Sequence, residues 1–142
     1  MQYENNVVFY FERGSFFSGS LMYQIDLIDN KYILKSYAYN DFCWMGGTEY
    51  EVPEKEIHKL QSLLKPVSKW KRTYECKLEI LDGYGWSIYF NHKDTLIDSN
   101  GYEKYPLNYR PIINKLQLFV ERLGVKYDDD YLREGRKERM EL

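Results

Sequence analysis

The sequence predicts an α+β fold: an antiparallel sheet of about six strands with two helices packed on one face, in βββα-βββα order. Three observations carry that reading. Short segments alternate apolar and polar residues with the period of a strand, residue pairs that favour tight turns separate them, and an amphipathic helical stretch follows each set of strands.

Val7 to Phe11 is a β-branched and aromatic run and reads as the first strand, ended by the breaker-rich stretch from Arg13 to Ser20. From Leu21 the pattern alternates, with Leu21, Tyr23, Ile25 and Leu27 on one face and Met22, Gln24 and Asp26 on the other. Asp29-Asn30 supplies two residues that tolerate positive φ, so Tyr32 to Tyr39 returns as the second arm of a hairpin. Beyond a loop holding Gly46 and Gly47, Pro53 suits a first helical position, and Glu54 and Glu56 complement the positive end of the helix dipole. Ile57, Leu60, Leu63, Leu64 and Val67 make its apolar stripe, and Pro66 ends the helix.

The second half begins with Tyr74 to Leu81, turns at Asp82-Gly83 and continues through Tyr84 to Phe90, with Tyr84, Trp86, Ile88 and Phe90 on one face. A turn over Asn91 to Asp94 leads into Thr95 to Ser99 and completes a three-stranded meander. Asn108 as N-cap places Pro111 in the first turn of the last helix, where its missing N–H has no intrahelical partner to lose. Ile112, Ile113, Leu116, Phe119, Val120 and Leu123 form the apolar stripe, and Gly124 is a natural C′ residue. The two halves share a plan, which suggests a weak internal duplication.

A chain of 142 residues with 44% hydrophobic content suits one core, so residues 1–125 read as a single domain and 126–142 as a charged tail. The net charge of -2, from 20 basic and 22 acidic residues, creates no general attraction to phosphate backbones or anionic lipid. No apolar stretch approaches the roughly 20 residues needed to cross a bilayer, and the N-terminus has no secretion pattern. Cys43 and Cys76 make no disulfide framework, so both read as free thiols in a reducing, cytoplasmic setting.

The stretch from Asp82 to Gly124 carries DGYGW and then SNGYEKYP leading into an amphipathic helix. It resembles a group of small, uncharacterised bacterial α+β proteins with an Asp-Gly turn before a Trp-bearing strand and a Ser-x-Gly-x-x-x-Tyr-Pro segment before the last helix. The matching residues are Asp82, Gly83, Trp86, Ser99, Gly101, Tyr105 and Pro106. The resemblance covers under half of the chain and implies a fold, with no activity to carry over; Pro111 stands where acidic residues would be expected. Read from the residues, Asp82 and Gly83 make a turn, Trp86 fills core and Pro106 presets the lead-in to the helix.

Metal sites need several ligands at short spacing, and His58 and His92 fall on different elements. His58 is expected to face solvent and His92 to lie in a turn, where Asp94 is its nearest acidic neighbour in sequence. Cys43, in DFCWMGG, has no histidine close by in sequence, and Gly46-Gly47 lacks the context of a phosphate-binding loop. Lys65, Lys69, Lys71 and Arg72 surround Trp70, an arrangement able to grip single-stranded nucleic acid but more simply a solvated linker. Asp128, Asp129 and Asp130 lack the spaced ligands of a calcium loop. No cofactor and no metal are expected.

Tyrosine is the unusual residue, at 15 of 142. Its ring buries readily while its hydroxyl demands a partner or water, which favours half-exposed contact surfaces. The expected function is therefore a non-enzymatic protein-binding module, by analogy an immunity-type or regulatory protein, with Tyr102, Tyr105, Tyr84 and Trp44 as the binding residues. The alternative is a hydrolase or other small-molecule enzyme whose pocket lies between the two halves and uses His92, Asp94 or Cys43. The expected partner is a protein, with neither membrane nor nucleic acid engaged, and the pattern sets no oligomeric state.

Overall fold

A computed structural model of the chain describes residues 3–15, 19–40, 43–46, 49–76 and 83–125, with backbone alone for 40 and 43–46. The tail from 126 and the expected Asp82 turn residue lie outside them. Among the described residues eight strands form one sheet: β1 (Val7–Ser15), β2 (Gly19–Ile28), β3 (Lys31–Asn40), β4 (Cys43–Gly46), β5 (Tyr50–Val52), β6 (Thr73–Glu75), β7 (Gly85–His92) and β8 (Thr95–Tyr102). Helix α1 (Glu54–Leu64) runs into a 3-10 turn (Lys65–Lys69), and α2 (Tyr109–Arg122) follows β8. Across the sheet the order is β4-β3-β2-β1-β7-β8-β6, with β5 sharing the outer edge of β3.

The α+β class holds, and the simple picture of an antiparallel six-stranded sheet needs two corrections. The β6 strand runs parallel to β8, pairing Thr73, Tyr74 and Glu75 with Asn100, Gly101 and Tyr102, so it is not the hairpin partner of β7. The glycine-bearing stretch expected as a loop contributes β4, and β5 adds a further short strand, both against β3. The halves also differ in order outward from the centre, β1-β2-β3 on one side and β7-β8-β6 on the other. That difference removes the topological basis for a duplication.

Local chemistry explains the elements. Asp29 and Asn30 both take positive φ, 51° and 62°, and close the β2–β3 hairpin as expected. Pro53 stands just before α1, at φ -61°, and the α-helix gives way to the 3-10 turn after Leu64 because Pro66 has no N–H to carry the ladder on; Lys65, still helical at φ -51°, bonds the Ser62 carbonyl instead. At the end of α2, Gly124 has φ 106°; its N–H bonds the Glu121 carbonyl and the Val125 N–H bonds that of Val120. This is a Schellman cap, with Val125 buried.

One core results. Phe9, Phe11, Leu21, Tyr23, Ile25, Leu34, Ala38, Trp86, Ile88, Phe90 and Ile97 from the sheet pack with Ile57, Leu60 and Leu64 of α1 and Ile112, Ile113, Leu116, Phe119 and Val120 of α2. Cross-strand pairs such as Phe11 with Tyr23 and Ile88 place these side chains on a single face. Both helices therefore cover that face. Leu27, expected with them, is 40% exposed beside the turn. Glu56 ties the helices together, accepting from Arg122 at 2.9 Å and Lys59 at 3.2 Å. Among the described residues no helix is long and apolar enough to cross a membrane.

Candidate binding face

Strand alternation gives the sheet an opposite face that, among the described residues, no helix covers. Its central rows are set by register: Tyr10 beside Tyr89, then Asp98; Glu12 beside Ser87, then Asn100 and Thr73; Gly14 beside Gly85, then Tyr102 and Glu75. On the other flank, Asp26 takes Lys35 at 3.2 Å and Gln24 at 2.8 Å.

The N-terminal segment lays Tyr3 across this face, its ring stacked on Tyr89 with centroids 4.1 Å apart and tilted against Tyr10 at 5.4 Å. The Tyr10 hydroxyl donates to the Glu12 carboxylate. Burial, then the charges of Asp98 and Glu12, push the Tyr3 hydroxyl up to about 12, and burial with the Glu12 contact raises Tyr10 as well. A groove of about 450 Å³ opens beside this stack, lined by Glu12, Glu75, Asp98, Ser87, Asn100 and Tyr102, with Gly14 and Gly85 among its lining. It spans β1 of the first half and β7, β8 and β6 of the second.

The four tyrosine and tryptophan positions singled out in the sequence do not form one site, although Tyr84 and Tyr105 meet. Tyr102 lines the groove, and its hydroxyl accepts the Gly83 N–H at 2.8 Å. Tyr84 and Tyr105, rings 6.2 Å apart, belong to an aromatic cluster at one end of the core, where Tyr105 meets Tyr109 at 4.8 Å and Tyr109 meets Trp86 at 5.2 Å. Trp44 sits on β4, whose backbone pairs it with Tyr39 at the far edge of the sheet. Tyr3, Tyr10, Tyr89, Glu12 and Asp98 were missed. The alternation of β1 and β7 already put Tyr10 with Glu12, and Ser87 with Tyr89, off the apolar face, which was the available signal.

The residues of the alternative reading do not converge either. Cys43 lies on β4 beyond Asn40, and His92 closes β7 at the opposite end of the strands. His92 is not in a turn: it ends the strand 9% exposed, with its ring 5.7 Å from that of His58. His58 is half exposed, as expected. Among the described residues no group of three or more His, Cys, Asp or Glu is placed to hold a metal ion. Trp70 turns inward, its indole N–H donating to Asn108 at 2.7 Å and its ring 5.6 Å from Trp86, which removes the aromatic element of a nucleic-acid grip.

The motif resemblance has a structural account. Gly83 lies under the Tyr102 ring, where a Cβ would fall 2.1 Å from it, and Gly101 lies under Trp86, whose indole N–H donates to the Lys104 carbonyl at 3.0 Å. Gly83 and Trp86 thus pack against Gly101, Tyr102 and Lys104 as two halves of one lock. In comparisons with protein families, curated proteins and solved structures, the chain matches none.

Proposed function

We propose that the chain is a non-enzymatic protein-binding module that docks a basic partner surface on the helix-free face of its sheet. The observation that carries this reading is the tyrosine stack of Tyr3, Tyr10 and Tyr89 set beside the Glu12 and Asp98 carboxylates on a sheet face that no helix of the described residues covers. Rigid aromatic rings contribute large contact area at little rotamer loss, and carboxylates at the rim favour encounter with positive charge. Neutralising or regulating a partner protein, the role expected from the sequence, needs no chemistry beyond such a face.

Selection from an unbiased displayed-peptide library tests the reading. Enriched sequences are expected to be basic, and Tyr3→Ala and Tyr89→Ala are each expected to weaken their binding by about 1–2 kcal/mol with the melting temperature little changed. Enrichment of acidic sequences, or full binding by both variants, contradicts it. One observation favours the enzyme reading: the groove spans the two halves. Retention of a neutral metabolite from a small-molecule panel, in place of any peptide, would favour it.

A further inference from the structure

The two glycines of the groove are there for different reasons. Gly14 has φ 137°, and a Cβ on it would lie 2.1 Å from the Gly19 carbonyl oxygen, so the backbone itself demands glycine. Gly85 faces it across the β1–β7 pair without a positive φ, and a Cβ there would meet only ordinary contacts, Gly101 O at 3.8 Å and Tyr102 Cδ2 at 3.9 Å. Nothing in the fold requires glycine at 85, and a strand interior is weakened by one. What its missing side chain leaves is room beside the Tyr102 ring that a methyl would take, and close approach of a ligand is one use of a strand glycine.

The chemistry around that space is one-sided. Glu12, Glu75 and Asp98 line it, and among the described residues the one cation within ion-pairing distance of them is Arg72, 3.8 Å from Asp98 with its side chain 79% exposed. A pair so exposed is weak and readily displaced. Glu12 retains lone pairs beyond the Tyr10 hydroxyl, Ser87 and Asn100 add neutral acceptors, and the Tyr3 and Tyr102 rings stand among the lining residues. Its volume, about 450 Å³, is large enough for one side-chain group to enter.

We infer that the groove over Gly14 and Gly85 takes the guanidinium of an arginine side chain presented by the partner, an inference resting on the docking reading above. A planar guanidinium offers a fork of donors to carboxylates and stacks on aromatic faces, whereas an ammonium is a strongly hydrated point charge that does neither well. Arginine satisfies the carboxylates, the neutral acceptors and the rings at once.

N-acetylarginine methylamide, titrated into the full chain and followed by amide chemical shifts, tests this directly. The expected result is saturable movement of the Gly14, Gly85, Ser87 and Asn100 amides with a dissociation constant on the order of millimolar. The neutral citrulline analogue and the lysine analogue should bind at least about tenfold more weakly, as should the arginine compound to Glu12→Gln or Asp98→Asn. Gly85→Ala should stay folded, with a melting temperature no lower than that of the parent, and bind several-fold more weakly.

Equal response to the citrulline or lysine analogue, no saturable shift, or undiminished binding by the carboxylate variants would overturn the inference. So would a Gly85→Ala chain that fails to fold, because the glycine would then serve the fold. If library peptides still bind through Tyr3 and Tyr89 while the arginine compound does not, the groove assignment alone falls; loss of both removes the docking reading too.

Discussion

His92 shows how burial sets a residue's chemistry. Its ring lies among Tyr32, Phe90 and His58, and its buried Nε2 has no hydrogen-bond partner among the described residues. Burial, then Lys93 and His58, lower its pKa from 6.5, against a smaller upward pull from Glu54. The unfolded chain therefore binds the proton more readily, so stability rises with pH across this window and is lost as pH falls below 6.5 toward the depressed folded value. Melting temperatures measured on either side of pH 6.5 should show that decline, and His92→Phe should flatten it. A wild-type melting temperature insensitive to pH there would contradict the assignment.

The glycines make the same point sterically. Gly14→Ala should cost roughly 3 kcal/mol or more through strain and collision with Gly19, whereas Gly85→Ala should gain about 0.5–1 kcal/mol, both read by denaturant titration. Neither difference was legible in the sequence. A glycine letter does not say whether the backbone or an open space requires it, and His92 passed for a turn residue because β7 runs as far as the hairpin.

At the scale of elements, the lead-in to α2 is held by side chains rather than by a conventional cap. Asn108 occupies the N-cap position expected of it, but at φ -100° and ψ 22° it makes no capping bond, and its side-chain oxygen accepts the Trp70 indole N–H. Asn108→Ala should therefore cost about 1 kcal/mol, and the loss should vanish in a Trp70→Phe background; a cost independent of Trp70 would restore the capping account. Tyr105, 39% exposed yet packed on Tyr109, should lower the melting temperature when replaced by Ala while leaving peptide binding intact. Tyr102 should affect both, because it lines the groove and covers Gly83. The strands β1, β2, β3, β7 and β8 and both helices were readable because apolar periodicity and turn pairs act locally. The short β4 and β5 were not, and β6 was expected as the arm of a hairpin with β7, since a strand of three or four residues owes its existence and its partner to the edge it pairs with.

For the whole molecule, the proposed docking rests on asymmetry between the faces of one sheet. Both helices take the apolar face built from Phe9, Phe11, Ile88 and their neighbours, and among the described residues the other face leaves Tyr3, Tyr10, Glu12, Tyr89 and Asp98 partly exposed. The sequence showed that each strand has two faces. It could not show that β1 and β7 would lie side by side and join Glu12 to Ser87 and Gly14 to Gly85 across the halves, because strand order is decided by long-range packing. The central claim is that the uncovered face is the docking surface. Amide chemical-shift mapping of the chain with a basic peptide from the library selection tests it most directly. The account predicts perturbations centred on Tyr10, Glu12, Gly85, Ser87, Tyr89 and Asp98 with the exposed faces of α1 and α2 unmoved; perturbations centred on the helices, or on Tyr84 and Tyr105, would contradict it.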